Sequence, residues 1–416
     1  MRLKRVLLRY FPPGIVLEYQ RKSGEVGEKA IDLFDLSSSS SQADVESMVS
    51  TLMASEPLLT RKDFVEKLVS TLVAKQAQRS QSSYRVARVL KAHILPLTNA
   101  CFNKAGTEIV TGSYDRTCKL WDASTGTELR SFEGHKNVVY CMAFNQPYCD
   151  KVITGSFDRS AKIWDAASGF CLHTLEGHSS EVVCVGFSED GRIALTGSMD
   201  TTARVWSVEN GLCIHVLAGH EGEIVSLQVK RDKVLTGSFD ATARIWSLKT
   251  GELLAILAGH SSELSATVFD FSGDICATSS IDHSARVWSV VSGKCLATLE
   301  GHADEVMDVA FDPCGRLIAT ACSDGTARIW DARNFKLVSV MRGHSAEVSK
   351  CSFNGNGRRL ITASADGTAK VWEVKSGVCM QTLEGHEDEV FAAAFDYSGD
   401  RIVTASKDNT CRLWVE

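Results

Sequence analysis

The sequence has little proline, no long apolar run and no excess of positive charge. Only 6 of its 416 residues are proline, which excludes a collagen-like or proline-rich scaffold. No apolar stretch approaches the ~18 residues that a membrane helix requires, so we expect no direct membrane insertion. The N-terminal apolar segment Val6-Leu7-Leu8 is interrupted at Arg9 and is too short for a secretory signal. With 45 Lys and Arg against 51 Asp and Glu, the charge argues against nucleic-acid binding.

The cysteines do not follow a metal-binding or disulfide pattern. None of the 14 cysteines forms a Cys-x-x-Cys pair, and they are scattered through strand-like segments, as at Cys141, Cys184, Cys276 and Cys411. In a chain of this length without a signal sequence they are typical of small buried side chains in a reducing compartment. The sequence therefore predicts a soluble intracellular protein.

A repeat of 40 to 43 residues organises most of the chain. All eight tryptophans lie in this series: Trp121, Trp164, Trp206, Trp246, Trp288, Trp330, Trp372 and Trp414. An aspartate stands six residues before each: Asp115, Asp158, Asp200, Asp240, Asp282, Asp324, Asp366 and Asp408. Two residues before each aspartate is a serine, except in the sixth unit, which has Cys322. Upstream lies a histidine, preceded by glycine in seven units: His93, His135, His178, His220, His260, His302, His344 and His386.

Each unit contains four short strand-like segments separated by turn residues. In the third unit we predict strands at Val182–Phe187, Arg192–Ser198, Ala203–Val208 and Leu212–Leu217. Four strands in about 42 residues correspond to one blade of a β-propeller.

The spaced motif Gly134-His135, Ser156-Phe157-Asp158 and Trp164-Asp165 resembles the WD-repeat signature. The resemblance covers residues 84–416 and recurs eight times. It implies an all-β, eight-bladed propeller with a hydrogen-bonded network in each blade. We expect that network at His135, Ser156, Asp158 and Trp164, and again at His178, Ser198, Asp200 and Trp206. Because Cys322 is a weak hydrogen-bond donor, the network of the sixth blade is expected to be looser.

The ends of the repeat region predict how the ring closes. The eighth unit lacks its outermost strand, whereas Tyr84–Leu90 is a strand-like segment that belongs to no other blade. Pairing of this segment beside Thr410–Val415 would close an eight-bladed ring and leave no sheet end exposed. Seven blades with a spare unit is the alternative.

Residues 1–83 carry no repeat and are expected to form a small α+β module, separate from the propeller at 84–416. Ile15–Tyr19 and Lys29–Leu33 flank turn-prone residues and predict a hairpin. Ser41 with Asp44, and Thr60 with Asp63, have the spacing of helix capping boxes. The apolar residues behind them follow helical spacing: Val45, Met48, Val49, Leu52 and Met53, then Phe64, Val65, Leu68, Val69 and Leu72. Residues 76–83 are predicted to be a polar link.

The N-terminal module is basic and the propeller region is acidic. Residues 1–83 hold 12 basic and 10 acidic residues, which leaves 33 basic and 41 acidic residues for 84–416. The positive charge is concentrated near the start, at Arg2, Lys4, Arg5 and Arg9. This charge either lies on a solvated face or against the acidic ring, or it contributes to a partner-binding site.

Two repeat positions are candidates for partner binding. The residue between Ser and Asp in the tight turn is large and apolar in five consecutive blades: Tyr114, Phe157, Met199, Phe239 and Ile281. Exposed apolar patches mark interaction sites; the alternative is that each side chain packs on its own blade. The third residue after the histidine is a glutamate in six blades: Glu181, Glu223, Glu263, Glu305, Glu347 and Glu389. These carboxylates would favour a basic partner, or would merely keep the rim soluble.

The repeated Ser, His and Asp do not predict an enzyme. A nucleophilic site requires one cleft rather than eight equal copies of the trio, and the sequence contains no P-loop. One histidine per blade places these side chains too far apart to share a metal ion. The basic residue two positions before every Trp is expected to be a structural part of the strand surface. We therefore expect no catalytic residues, no metal and no cofactor.

Three further segments resemble a narrower family. Leu7–Tyr19, Glu56–Thr60 and Val89–Thr98, with Ala92-His93 in place of Gly-His, are similar to the WD-repeat assembly factors of outer-arm dynein. The resemblance implies a monomeric, non-enzymatic adaptor that links preassembled outer-arm dynein to a subunit of intraflagellar transport complex B. It also implies a location in the cytoplasm and the cilium or flagellum, including the basal body region. The alternative is a WD-repeat substrate receptor of a ubiquitin ligase, although residues 1–83 do not resemble an F-box.

Overall fold

The structure is a computed structural model that describes residues 2–10, 13–20, 26–33, 42–59, 61–77 and 83–416. The chain divides into two compact units, Met1–Ser83 and Tyr84–Glu416, and each is described by itself. No helix in the described part of the chain combines the length and the hydropathy that a membrane span needs.

The described residues of the first unit form three strands and two helices. They are β1 (Arg2–Tyr10), β2 (Pro13–Gln20), β3 (Val26–Asp32), α1 (Gln42–Ser55) and α2 (Lys62–Ala77). The antiparallel sheet has the order β1-β2-β3, so β2 and β3 form the predicted hairpin. Strand β1 was not predicted, because the basic residues Lys4 and Arg5 interrupt its apolar sequence. A register shift between Leu3 and Arg5 also breaks the alternation of apolar and polar residues. The proposed caps Ser41 and Thr60 and link residues 78–82 lie outside the described residues, whereas α2 extends into the predicted link.

The core of this unit is formed by one face of the sheet and one stripe of each helix. Ile15 and Leu17 of β2 are fully buried, together with helix residues three or four positions apart: Val45, Val49 and Leu52 on α1, then Val65, Val69 and Leu72 on α2. This spacing places the residues on one helical face. Phe64, which helical spacing predicts to lie in that stripe, is instead 42% exposed. It precedes Val65 by one position and therefore points about 100° away from the buried face.

The second unit consists of 32 short strands. In chain order they are β4 (Arg85–Leu90), β5 (Leu97–Phe102), β6 (Glu108–Ser113), β7 (Cys118–Asp122), β8 (Glu128–Phe132), β9 (Val139–Phe144), β10 (Lys151–Ser156), β11 (Ala161–Asp165), β12 (Cys171–Leu175), β13 (Val182–Phe187), β14 (Ile193–Ser198), β15 (Thr202–Ser207), β16 (Cys213–Ala218), β17 (Ile224–Lys230), β18 (Lys233–Ser238), β19 (Thr242–Ser247), β20 (Leu253–Ala258), β21 (Leu264–Phe269), β22 (Ile275–Ser280), β23 (Ala285–Ser289), β24 (Cys295–Leu299), β25 (Val306–Phe311), β26 (Leu317–Cys322), β27 (Thr326–Asp331), β28 (Leu337–Arg342), β29 (Val348–Phe353), β30 (Arg359–Ser364), β31 (Ala369–Glu373), β32 (Cys379–Leu383), β33 (Val390–Phe395), β34 (Arg401–Ser406) and β35 (Cys411–Val415).

The strands form eight antiparallel four-stranded sheets, which are the predicted blades. Blade 1 is β5-β6-β7-β8, and blades 2 to 7 follow in chain order. First strands of successive blades contact one another, as β13 contacts β17, so they line the centre of the ring. Second strands are almost entirely buried, as in β18, because a strand or a neighbouring blade covers each side. This burial explains their unbroken runs of apolar and small residues.

The ring closes at the eighth blade, whose sheet has the order β33-β34-β35-β4. Strand β4 pairs antiparallel with β35, with Leu90 opposite Cys411 and Val86 opposite Trp414. The first strand of this blade, β33, contacts β5 of blade 1. The prediction of eight blades closed by an N-terminal strand is confirmed, and the seven-bladed alternative is wrong.

Tyr84 fastens the closing strand to blades 7 and 8. Its backbone N–H donates to Gln381 Oε1 at 2.7 Å, and Gln381 Nε2 donates back to its carbonyl at 2.6 Å. The Tyr84 hydroxyl donates to the carbonyl of Gly399 at 2.7 Å and accepts from Arg359 Nη1 at 2.8 Å. Arg359 also contacts Glu416 Oε1 at 2.8 Å. Burial raises the pKa of Tyr84 to about 12, so its hydroxyl remains a donor at neutral pH.

Candidate interaction site on the propeller

Each blade contains a buried chain of side-chain hydrogen bonds. In blade 2, Trp164 Nε1 donates to Thr154 Oγ1 at 2.8 Å, and the same hydroxyl lies 2.8 Å from His135 Nε2. On the other side of the ring, His135 Nδ1 lies 2.8 Å from Asp158 Oδ2. The network therefore joins Trp, Thr, His and Asp, and each polar group obtains a partner without solvent.

The threonine is the member that sequence reasoning missed. It stands two residues before the serine position in all eight units: Thr111, Thr154, Thr196, Thr236, Thr278, Thr320, Thr362 and Thr404. The serine has a different role from the one we expected. Ser156 Oγ donates to the carbonyl of Asn137 at 3.0 Å and accepts the N–H of Asp158 at 3.1 Å. Ser198 does the same with Ser180 and Asp200, so the serine fixes the tight turn and lies outside the Trp–His chain.

The network fits a neutral histidine. In blade 3, His178 Nδ1–H can donate to Asp200, and its Nε2 can accept from Thr196, whose oxygen accepts from Trp206. Burial lowers the pKa of His178, and the hydrogen bond to Asp200 offsets this only partly. Burial alone would raise the pKa of Asp366 in blade 7, but hydrogen bonds from Thr368 and His344 lower it to about 2. The pKa values of the network histidines are lowered in the same direction throughout blades 3 to 8, so these histidines are held neutral beside ionised aspartates.

These shifts predict that acid destabilises the propeller in two stages. A His whose pKa is lower in the folded than in the unfolded chain loses stabilising effect as pH falls below its unfolded value of about 6.5. The same sign applies to the aspartates, whose contribution is lost as pH falls from about 4 toward 2. We expect the thermal midpoint to decrease from pH 7.5 to 5 and again below 4. A constant midpoint down to pH 5 would contradict this, and replacement of exposed His283 by Gln should leave the profile unchanged.

Thr236→Val tests the bridging threonine in blade 4. Thr236 is fully buried, and its hydroxyl lies 2.9 Å from Trp246 Nε1 and 2.8 Å from His220 Nε2. Valine keeps the shape but leaves two buried polar groups unpaired, so we expect a loss of about 1–3 kcal/mol in the free energy of unfolding. Urea denaturation measures it. Thr250→Val, on an exposed turn, is the control and should change stability by less than about 0.5 kcal/mol.

The glycine before the histidine adopts a backbone conformation that L residues rarely take, and an arginine side chain packs close to it. Gly177 has φ of +147°, and a Cβ there would lie 2.6 Å from Arg204 Nη1. A Cβ at Gly219 would meet Arg244 Nη1 at 2.5 Å and the Trp246 ring at 3.3 Å. In blades 3 and 4 the arginine two positions before Trp therefore packs against the glycine that precedes the histidine.

The two candidate binding positions lie next to each other in every blade. The N–H of each tight-turn residue donates to the carbonyl of the third residue after the histidine: Met199 to Glu181 at 2.9 Å, Phe239 to Glu223 at 2.9 Å and Ile281 to Glu263 at 3.1 Å. Tyr114 and Phe157 bond in the same way to Pro96 and Val138. We call this edge of the ring, formed by these turn residues and their partners, the tight-turn rim.

Blades 1 and 2 form an apolar sector of the tight-turn rim. Tyr114 is 42% exposed, and Phe157 stacks on Tyr140 with ring centroids 5.2 Å apart. Ile94, on the segment that bonds to Tyr114, is 83% exposed. Tyr140 and Ile94 were missed because neither follows the repeat pattern. In blades 3 to 5, Phe239 is 44% exposed, whereas Met199 and Ile281 are half-buried.

The glutamates extend from blade 3 to blade 8. Hydrogen bonds from Ser180 and Ser262 lower the pKa values of Glu181 and Glu263, so both remain charged at neutral pH. Glu389 contacts Lys407 of its own tight turn at 3.3 Å, which reduces the net charge of blade 8. Glu223 and Glu347 are exposed, and Glu305 is half-buried. The rim thus changes from apolar in blades 1 and 2 to acidic in blades 6 and 7.

The basic residues of the first unit lie on strand β1. Arg5 Nε contacts Glu18 Oε2 at 2.8 Å across the sheet, so its charge is balanced within the unit. Lys4 is exposed and Arg9 is half-buried. Arg2 begins the strand, and its side chain is outside what the structure describes.

In the sixth blade the expected loosening of the network is confirmed. His302 Nδ1 lies 3.9 Å from Asp324 Oδ2, whereas this distance is 2.7–2.8 Å in the seven other blades.

Eight four-stranded blades closed into a ring, with the same buried network in seven of them and a looser one in the sixth, define a WD-repeat β-propeller. A family model described as "WD domain, G-beta repeat" matches residues 84–122, 126–165, 169–207, 211–247, 251–289, 293–331, 335–373 and 377–415. The chain belongs to this WD40 family.

A narrower similarity is found among curated proteins. The chain is 53% identical over 154 residues to "Dynein assembly factor with WD repeat domains 1" of Homo sapiens and of Mus musculus, and 53% identical over 152 residues to that of Xenopus laevis. Each match covers 36% of this chain and 36% of the relative. Among solved structures, the computationally designed Ika8 protein superimposes with a TM-score of 0.72 at 30% identity, covering 79% of this chain and 98% of that one.

Proposed function

We propose that this chain is a non-enzymatic adaptor in dynein assembly. The observation that carries the proposal is its 53% identity to dynein assembly factors with WD repeat domains over about a third of each chain. The fold provides what such a role requires, which is a rigid ring with an interaction surface.

The blade chemistry supports a role without catalysis. A nucleophilic serine needs a histidine within hydrogen-bond reach. In blade 2, His135 is instead bonded to Thr154 and Asp158, and Ser156 is bonded to a backbone carbonyl. The repeated trio is therefore used for folding and does not form a nucleophile–base pair.

The polarity of the tight-turn rim supports binding of two different surfaces. The exposed aromatic and aliphatic side chains of blades 1 and 2 are of the type enriched in the centres of protein interfaces. The carboxylates of blades 3 to 7 are suited to a basic partner. A ring with both sectors can hold two protein assemblies at once.

In its finer form, the proposal is that the adaptor links preassembled outer-arm dynein to the intraflagellar transport train through a complex B subunit. It would act as a monomer in the cytoplasm and in the cilium or flagellum, including the basal body region. The resemblance of Leu7–Tyr19, Glu56–Thr60 and Val89–Thr98 to the dynein assembly factors supports this form.

Affinity capture from a ciliated-cell extract, followed by mass spectrometry, tests the proposal with the full chain as bait. Recovery of outer-arm dynein subunits together with complex B subunits is the expected result. Recovery of dynein alone would support the assembly role and contradict the transport link. Recovery of ubiquitin-ligase subunits with neither of the other sets would contradict the adaptor function and favour a substrate receptor.

A further inference from the structure

The sixth blade has an unsatisfied polar atom at the place where the other blades have a closed hydrogen bond. His302 Nε2 lies 2.7 Å from Thr320 Oγ1 and Trp330 donates to the same oxygen at 3.0 Å, as in the other blades. His302 Nδ1, however, has no hydrogen-bond partner although its side chain is fully buried. Buried polar atoms are usually hydrogen-bonded, so this nitrogen is free to bind a ligand.

A thiol and a carboxylate face this nitrogen. His302, Cys322 and Asp324 each place one ligand atom (a ring nitrogen, the thiol sulfur and a carboxylate oxygen) within 4.8 Å of the other two, and they form the one group of three His, Cys, Asp or Glu residues with this spacing in the described residues. The distance of 3.9 Å between His302 Nδ1 and Asp324 Oδ2 is too long for a hydrogen bond. It suits two atoms bound to one ion, because bonds of about 2.0–2.3 Å in tetrahedral zinc place neighbouring ligand atoms roughly 3–4 Å apart.

We propose that blade 6 binds a zinc-type divalent transition-metal ion through His302 Nδ1, Cys322 Sγ and the Asp324 carboxylate. Imidazole, thiolate and carboxylate are the three ligand types that proteins use for Zn²⁺. Thiolate and carboxylate together balance the two charges of the ion, so the buried site is neutral. Water would occupy the fourth coordination position.

The surroundings can accept this change with small rearrangements. The Cys322 thiol now donates to the carbonyl of Asp304 at 3.2 Å and accepts the N–H of Asp324 at 3.4 Å. On metal binding the thiol proton is released to solvent, and the sulfur keeps the N–H bond. His302 would carry its proton on Nε2 and donate to Thr320, which is the supporting contact that metal-bound histidines usually make. The Thr320 hydroxyl then needs an acceptor; the equivalent Thr236 and Thr362 approach a strand carbonyl at 3.5 Å.

Two charged residues, Asp324 and Arg328, lie in or beside the site. Asp324 is held in place by Thr326, whose hydroxyl donates to its second oxygen at 2.6 Å. The Arg328 guanidinium lies beside the residue that precedes His302, because a Cβ on Gly301 would be 2.5 Å from its Nη1. Histidines of different blades are too far apart to share one metal ion. This site does not need them to, because its three ligands come from one blade.

Metal binding is tested on the full chain with Co²⁺ and Zn²⁺ as probes. Wild-type protein should take up Co²⁺ with a thiolate-to-cobalt charge-transfer absorption that excess Zn²⁺ removes. Cys322→Ser should lose this absorption, whereas Cys276→Ser should retain it, because Cys276 is equally buried but belongs to no such cluster. Serine occupies this position in the seven other blades, so the variant is expected to fold.

A second measurement uses the stability of the folded protein. Zn²⁺ should raise the thermal midpoint of wild-type protein, because a ligand that binds only the folded state stabilises it, and this shift should be absent in Cys322→Ser. Absence of a zinc-dependent shift in the wild type would overturn the proposal. A cobalt spectrum that is identical in wild type and Cys322→Ser would also overturn it.

Discussion

Trp206→Ala should lower the free energy of unfolding by about 3–5 kcal/mol. Trp206 is 2% exposed and packs in a cluster with Ile153, Ile163 and Leu175 of blade 2. Its removal leaves a cavity between blades 2 and 3. It also removes the indole N–H that donates to Thr196 Oγ1 at 2.9 Å. The core of each pair of neighbouring blades contains such a tryptophan, so the loss affects the ring rather than one blade. Denaturant unfolding measures it.

Trp206→Phe separates packing from hydrogen bonding. Phenylalanine retains most of the ring contact but cannot donate to Thr196, so we expect a smaller loss of about 1–3 kcal/mol. Equal destabilisation by both substitutions would show that the hydrogen bond, and not the volume of the side chain, dominates.

The double substitution Phe157→Asp with Phe239→Asp should abolish partner capture and leave the thermal midpoint nearly unchanged. Both residues lie on the tight-turn rim, where Phe239 is 44% exposed and Phe157 stacks on the partly exposed ring of Tyr140. Charged groups introduced at an apolar contact must be desolvated without a partner, which strongly disfavours association. Binding is measured by capture from a ciliated-cell extract, and folding by thermal denaturation.

Two exposed apolar residues in turns at the other end of the blade strands provide a control. Phe170 follows β11, whereas Phe157 precedes it, and Phe170 is 74% exposed. Leu212 precedes β16 in blade 3 and is 64% exposed. Phe170→Asp with Leu212→Asp should therefore leave capture intact. If the rim substitutions lower the thermal midpoint as much as they lower capture, Phe157 and Phe239 are packing residues and the rim is not the binding surface.

The fold could be predicted because the same residue pattern recurs eight times along the chain. The spacing of Trp, Asp and His gave the number of blades, and the incomplete eighth unit predicted the pairing of β4 with β35. The stripes of helices α1 and α2 were visible for the same reason, since Val45, Val49 and Leu52 must share a face. Strand β1 was not visible, because a register shift at Leu3 and exposed basic side chains hide its period.

The candidate site was predicted less completely, because exposure and pairing depend on neighbours that the motif does not name. Thr196 was present in the pattern, but only the distances to His178 and Trp206 show that it joins them. The contact of Phe157 with Tyr140 joins two segments of a blade that carry no shared spacing. Cys322 predicted a looser hydrogen-bond network in the sixth blade. That His302 Nδ1 has no partner depends on the three-dimensional positions of its neighbours and could not be predicted from the sequence.

The pairing of β4 with β35 has a consequence for the synthesis of the protein. Strand β4 is the first strand of the ring to leave the ribosome, and β35 is the last. At translation rates of about 5–20 residues per second, roughly 16–64 s pass before Leu90 can meet Cys411, its partner in the finished ring. During that interval β4 remains unpaired, and unpaired edge strands are prone to pair with other chains. The nascent chain is therefore expected to depend on chaperones that shield β4 until the last blade emerges.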